Sequence, residues 1–326
     1  MKAAVFTGLE KKIKIVDDYP KPVPNENEVL IKIKYCGICG SDLSNYLYQL
    51  YNIPLIMGHE FSGTIEEIGS NVKDLKVGDP VTSYCSTRAF KNFESFGIFT
   101  DGAFAEYMKI KPDDIILKPE AVTFEQLCLS EPVSCAIHAV NISSIGENEG
   151  VIILGSGIIG LSLLQVLNAL KSPKYIIMVD FNPALLEKAK ELGATACYKP
   201  NEKIKIKRFM KKNRSCSYVF DCAGSESSYC LSLELVKPGG TVLLEGIKRG
   251  NIPLPISMIV INELTVKGSY AENREEFLEA IELIRDKKIN SDAMISEIVP
   301  LDNISYAFER MNSKDRSEVK FLVNLS

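Results

Sequence analysis

Two rhythms of hydrophobic and polar positions divide this chain. Over the first ~120 residues the apolar positions come in short runs that alternate in part with polar ones. Val29-Leu30-Ile31-Lys32-Ile33-Lys34-Tyr35 is one such run, and residues 61–68 and 104–110 carry two more. Pro20-Lys21-Pro22, Pro24-Asn25, Gly78-Asp79-Pro80 and Asp101-Gly102 punctuate them with turn chemistry. Short strands joined by such turns predict an all-β, barrel-like unit.

From about residue 145 the rhythm becomes strand–helix alternation. Val151-Ile152-Ile153-Leu154 is apolar throughout, as expected of a strand covered on both faces of a parallel sheet. A helix over 158–170 follows, then a strand over 176–180. Pro183 stands where the next helix can start and Gly193 where it can stop. Further strands are predicted at 218–221, 241–246 and 264–268. About six strands with helices between them make a doubly wound α/β fold. Beyond them Phe277, Ala280, Ile281 and Ile284 fall on one helical face, with Asn273 and Glu276 in capping-box positions. Ile304, Ala307, Phe308 and Met311 repeat the spacing, and both helices are assigned to the first unit.

Composition narrows the classes. The 326 residues exceed one typical core, so two domains are expected. A net charge of −4 offers no basic field for a phosphate backbone, which excludes nucleic acid as a partner class. The nine cysteines are odd in number and scattered from Cys36 to Cys230, which predicts a reducing cytoplasm. The apolar stretch at the N-terminus is too short for a signal peptide. Residues 151–170 run 20 positions without a charge, the length of a membrane span. Three glycines, two serines, Gln165 and Asn168 break that run, and a buried strand, a glycine turn and a packed helix account for it better.

Gly155-Ser156-Gly157-Ile158-Ile159-Gly160 lies between that strand and helix. Gly155 permits the tight turn, Gly157 lets a pyrophosphate approach, and Gly160 lets helix and sheet pack closely. The free N–H groups at Ile158 and Ile159 then face the phosphates. Asp180 closes the next strand, where a carboxylate accepts hydrogen bonds from ribose hydroxyls and repels a 2′-phosphate. The expected cofactor is therefore NAD; the bland alternative is a glycine turn in an unliganded domain.

The first half supplies different chemistry. Cys36-Gly37-Ile38-Cys39-Gly40-Ser41-Asp42 is followed by Gly58-His59-Glu60. Cys39, His59 and a carboxylate make a three-ligand catalytic zinc site that leaves a fourth position open. Asp42 is placed to take the second N–H of His59 and fix its tautomer. Ser41 is the nearest hydroxyl able to pass on a proton. Cys36 reads as core, and Glu60 could instead be a salt-bridge partner behind the ligands.

With Asp101-Gly102-Ala103-Phe104-Ala105-Glu106-Tyr107 and Phe220-Asp221-Cys222-Ala223-Gly224, these stretches resemble the zinc-containing medium-chain dehydrogenases over essentially the whole chain. Glu131-Pro132-Val133-Ser134, with His138 beyond, looks like the polyol, threonine and sugar-alcohol-phosphate branch. The resemblance makes Glu131 a zinc ligand or near-ligand, in competition or exchange with Glu60, and His138 structural. It implies a chaperonin-10-like β-barrel catalytic domain at 1–142, completed by 270–326, and a Rossmann domain at 143–269. It also implies homodimers or homotetramers joined through the nucleotide domains. The segments 222–224 and 246–247 are expected near the nicotinamide.

Two departures from the family matter. Residues 84–99 are short and hold only Cys85, so one catalytic zinc and no structural zinc are expected. Ser44 stands where many relatives place a relay histidine, so the proton leaves through Ser44, ribose hydroxyls or water. The expected reaction is zinc-dependent hydride transfer between a secondary alcohol, a polyol or sugar-alcohol phosphate by preference, and NAD. A threonine-like amino alcohol or a simple secondary alcohol remains open as substrate. A zinc-free NADPH enone reductase and a non-catalytic redox sensor are the competing readings.

Overall fold

The computed structural model describes residues 1–8, 13–84, 95–213, 215–247, 250–313 and 315–326. The chain divides into two compact units, Met1–Glu131 with Glu272–Arg285 and Ser291–Ser326, and Pro132–Ala271 with Asp286–Asn290. The predicted Cys85 segment lies outside the described residues.

The first unit is β-rich. Strands β1 (Ala3–Phe6), β2 (Ile13–Val16), β3 (Val29–Gly37), β4 (Leu55–Ile56), β5 (Glu60–Ile68), β6 (Pro80–Ser83), β7 (Tyr107–Ile110) and β8 (Ile115–Leu117) come from its first segment. Two more, β15 (Ile295–Pro300) and β16 (Lys320–Asn324), arrive from far along the chain. They form a three-stranded sheet β2-β1-β4 and a seven-stranded sheet β15-β16-β3-β5-β6-β8, with β7 also on β3. In β3 Val29, Leu30, Ile31 and Ile33 are fully buried while Lys32 faces water, which is the partial alternation seen in the sequence. The β3–β5 ladder slips between Leu30 and Ile31 and again between Ile33 and Tyr35. Such bulges bend a sheet and help curl it around its core.

Two expectations change here. The all-β reading is interrupted by a helix at Gly40–Tyr48. Its start was legible in principle, because Asp42 at the third helical position accepts the Cys39 N–H at 2.9 Å. The run over 104–110 becomes strand only from Tyr107. Just before it the chain is spent elsewhere: the N–H groups of Gly102, Ala103 and Phe104 bond to the carbonyls of Ile56, Gly58 and Met57. The helix Arg274–Arg285 carries the predicted box, since Asn273 N–H donates to Glu276 at 3.0 Å and Glu276 N–H to Asn273 at 2.9 Å.

The second unit is a six-stranded sheet of β9 (Gly150–Leu154), β10 (Tyr175–Val179), β11 (Ala196–Tyr198), β12 (Tyr218–Asp221), β13 (Thr241–Leu244) and β14 (Thr265–Gly268). Their order is β11-β10-β9-β12-β13-β14 and every neighbouring pair is parallel. Strand order reverses between β9 and β12, the switch point of a doubly wound fold. The charge-free run resolves into β9, a glycine turn and a helix at Ile158–Leu170. Among the described residues no helix is long and apolar enough to cross a membrane.

Candidate active site

Two clusters of chemistry form, each within one unit. In the first, Gly58 has φ +94°, a conformation that glycine adopts without strain, and a Cβ there would stand 2.9 Å from both Cys36 Sγ and a ring carbon of Phe104. The turn it makes is held by the 101–104 segment, whose Asp101 carboxylate also accepts the Ile56 N–H at 2.9 Å. His59 is thereby delivered to the Gly40–Tyr48 helix, whose N-cap is Cys39.

The sulfur of Cys39, a ring nitrogen of His59 and a carboxylate oxygen of Glu60 all lie within 4.8 Å of one another. Ligands around a tetrahedral zinc sit about 3.3–3.8 Å apart, given bonds of about 2.0–2.3 Å, so a small closure brings them into range. The Ser41 N–H points to Cys39 Sγ at 3.5 Å, and Ser41 Oγ is 3.4 Å from His59 Nε2. Asp42 is buried and accepts N–H groups from Cys39 and from Gly58. Its Oδ1 is 3.6 Å from His59 Nδ1, a close charge contact but longer than a hydrogen bond, and Nδ1 has no hydrogen-bond partner.

Glu60 is held by a residue the sequence reading missed. Both of its oxygens accept from Lys320 Nζ, at 2.7 and 2.6 Å, and the pair is buried. The register explains the contact: Glu60 is opposite Gly37 of β3, and Gly37 is opposite Leu322 of β16. A side chain at position 37 would collide with the Glu60 carboxylate, so glycine leaves the gap through which the ion pair passes. A lysine inside the apolar run Val319-Lys320-Phe321-Leu322-Val323 was the available signal.

The electrostatics call for positive charge. Burial, then Glu60 and Glu131, push the Cys39 thiol well above its ordinary pKa. Burial, then Glu60 and Glu272, push Glu131 to about 8. Asp42 is raised by burial as well. Burial lowers the His59 pKa, but Asp42, Glu131 and Glu60 outweigh it and the net shift is upward. Lys320 is raised too, its burial outweighed chiefly by Glu60. A thiol, an imidazole and several carboxyls around a single ammonium are a ligand set whose negative charge a divalent cation would offset. The residues present fit zinc.

Ser44 lies on the same helix, yet its hydroxyl donates back to the Gly40 carbonyl at 3.0 Å. Cys36 is fully buried in the core. His138 sits mid-helix within Ser130–Ser143, and Glu131 in the first turn of that helix.

The second cluster lies at the carboxyl edge of the parallel sheet. Gly155 has φ +99°, and a Cβ there would stand 3.1 Å from the Ala223 nitrogen. A Cβ at Gly160 would collide with the Gly155 carbonyl. Gly157 caps the Ile158–Leu170 helix, so the first-turn N–H groups at Ile158 and Ile159 open the helix beside the glycine turn. Asp180, one residue beyond β10, accepts the N–H groups of Ser156 at 2.7 Å and Asn182 at 2.8 Å. Each of its oxygens keeps a lone pair for a ribose hydroxyl. These residues fit a dinucleotide. Residues 222–224 and 246–247 meet one another, since a Cβ at Gly224 would lie 2.6 Å from the Gly246 carbonyl carbon.

Residues 25–120 match the alcohol dehydrogenase GroES-like domain, and residues 159–286 match the zinc-binding dehydrogenase family. The chain belongs to the zinc-containing medium-chain alcohol dehydrogenases. D-xylulose reductase A of Aspergillus oryzae is 29% identical to this dehydrogenase over 342 aligned positions, covering 95% of this chain and 93% of that protein. The 2R,3R-butanediol dehydrogenase of Bacillus subtilis superposes with a TM-score of 0.89 at 27% identity, over 99% of each chain. Galactitol-1-phosphate dehydrogenase of Escherichia coli gives 0.89 at 26% identity, over 99% of this chain and 100% of that one.

Proposed function

We propose that this dehydrogenase interconverts a polyol or sugar-alcohol phosphate and the corresponding ketose, with NAD as hydride carrier. The observation that carries this reading is the Cys39–His59–Glu60 cluster with the Ser41 hydroxyl against it, in a chain whose relatives include a xylulose reductase and a galactitol-phosphate dehydrogenase. Zinc, when bound, supplies a Lewis acid that makes a substrate hydroxyl acidic, and NAD supplies the acceptor for hydride.

The chain's own residues do the rest. Cys39, His59 and Glu60 would hold the metal, Glu60 sharing its carboxylate with Lys320, which reaches both of its oxygens, and Glu131 would be the alternative carboxylate. Ser41 Oγ receives the substrate proton and passes it outward by way of water or ribose hydroxyls, because Ser44 spends its own proton on Gly40. Gly155, Gly157, Ile158, Ile159 and Gly160 cradle the pyrophosphate and Asp180 selects NAD over its 2′-phosphorylated form. In this reading 1–142 with 270–326 is the catalytic domain and 143–269 the nucleotide domain. No structural zinc is expected, because a closed site needs four Cys or His ligands and residues 84–99 hold one cysteine and no histidine. Eight described cysteines are all free, which supports residence in the cytoplasm.

The test is zinc content per subunit together with NAD reduction on matched panels of polyols and polyol phosphates. About one zinc per chain, lost to chelator along with turnover, supports the assignment. Glu60→Gln should lower zinc occupancy more than Glu131→Gln; the reverse order exchanges their roles. A zinc-free protein that reduces enones with NADPH would overturn the proposal.

A further inference from the structure

The carboxyl edge of the nucleotide-binding sheet carries one notable group per strand. In spatial order these are Asp180 after β10, the Gly155 turn after β9, Cys222 after β12, Glu245 after β13 and Ser269 after β14. A dinucleotide lies along such an edge, across the point where strand order reverses. With one ribose at Asp180 and the pyrophosphate at the helix N-terminus after Gly157, the other half of the cofactor extends over β12, β13 and β14. Adjacent strands are spaced by about 4.8 Å, so Glu245 stands about 10 Å past the pyrophosphate turn, within reach of a nicotinamide riboside.

Glu245 is held there from both sides. Cys222 Sγ donates to one carboxyl oxygen at 3.4 Å and Ser269 Oγ to the other at 3.2 Å. Both donors are neutral. The oxidised nicotinamide ring carries a positive charge and the reduced ring carries none, so a fixed carboxylate beside the ring distinguishes the two by charge alone.

We propose that Glu245 faces the nicotinamide half of the cofactor and biases the site toward the oxidised, cationic form. This is a positioning and selectivity role that rests on the dinucleotide site proposed above. Burial raises the Glu245 carboxyl to about 7, so the bias is present above neutral pH and fades below it. Among the described residues the titratable groups around it are Cys222 and Asp221 at the end of β12. Tyr229 also faces this edge, its phenol donating to the Gly246 carbonyl at 2.5 Å. The Cys222 thiol, pushed well up by burial and then by Glu245, stays neutral through this range. Asp221 spends Oδ1 on the Ala223 and Gly224 N–H groups, 2.9 Å each.

The experiment measures dissociation constants of NADH by its fluorescence, and of NAD+ by competition, on the zinc-loaded enzyme at pH 6 and pH 8.5. A chain without tryptophan gives a low background. Raising the pH should tighten NAD+ relative to NADH by roughly 5–20-fold in the wild type, the scale of one nearby charge in a partly screened site. Glu245→Gln should flatten that dependence and weaken NAD+ relative to NADH at pH 8.5 by a similar factor. An unchanged ratio in a variant that binds NADH overturns the proposal alone. Wild-type protein that binds neither nucleotide overturns the dinucleotide site and this proposal with it. If Glu245→Gln does not fold, Ser269→Ala removes one donor from the same carboxylate and should move the midpoint of the pH dependence upward; an unmoved midpoint overturns the proposal.

Discussion

At the Cys39 sulfur two influences oppose one another. The helix that begins at Gly40 favours a thiolate at its N-cap, and the surrounding carboxyls with burial disfavour it. A bound divalent cation settles the contest for the thiolate, so Cys39→Ala should remove both zinc and turnover, as read by metal analysis and NADH formation. Asp42→Asn keeps the shape but removes the charge behind His59, and a loss of about 10–100-fold in zinc affinity is expected in chelator competition. Stability follows the same groups. Glu131 is raised when folded, so the metal-free folded state holds its proton more tightly than the unfolded chain does. That contribution is full below the ordinary carboxyl range and is lost as pH rises through about 8. Metal-free protein should therefore melt progressively lower as pH rises toward that value, and added zinc should flatten the trend in a thermal-shift series. Cys39, His59 and Asp42 were readable in the sequence because their spacing is local. The Glu60–Lys320 pair was not, since 260 residues separate its partners.

At the level of elements, the strand and helix around the glycine turn were legible because each has a strong period and a clear punctuation mark. The Gly40–Tyr48 helix was overlooked because its first turn was read for chemistry rather than for capping. Residues 104–106 were misjudged as strand because apolar content does not say with which partner a backbone will bond. The register of β16, β3 and β5 could not be read at all, and it is what creates the ion pair over Gly37. Breaking such a buried pair from one side leaves an uncompensated charge, so Lys320→Met should cost the metal-free protein about 3–5 kcal/mol. Glu60→Gln in the same chain should restore much of that loss. Thermal or denaturant unfolding of the single and the double variant, compared with wild type, checks both statements; equal stability of Lys320→Met and wild type would count against them.

For the whole molecule, fold class was the easiest inference, because two periodicities in one chain leave few architectures. Assembly is a matter of surface. Strand β14 is an edge of its sheet, Val266 on it is exposed, and the preceding helix exposes Ile256, Val260 and Ile261. An apolar patch beside an unpaired edge is a surface that a second copy would cover. A homodimer or homotetramer is expected by light scattering, and Ile261→Lys with Val266→Glu should shift it toward monomer while NADH binding persists.

The ion pair across Gly37 also sets an order of events during synthesis. A ribosome makes Glu60 and Cys39 early, then the entire nucleotide-binding unit, and only afterwards Lys320 on β16. Until that strand emerges, the nascent metal pocket has its acids but lacks their built-in counter-ion and one wall of its sheet. The pocket therefore reaches its final form only when that last strand joins the sheet. A truncation just before Val319 would leave every proposed ligand in place and still yield a pocket that cannot close.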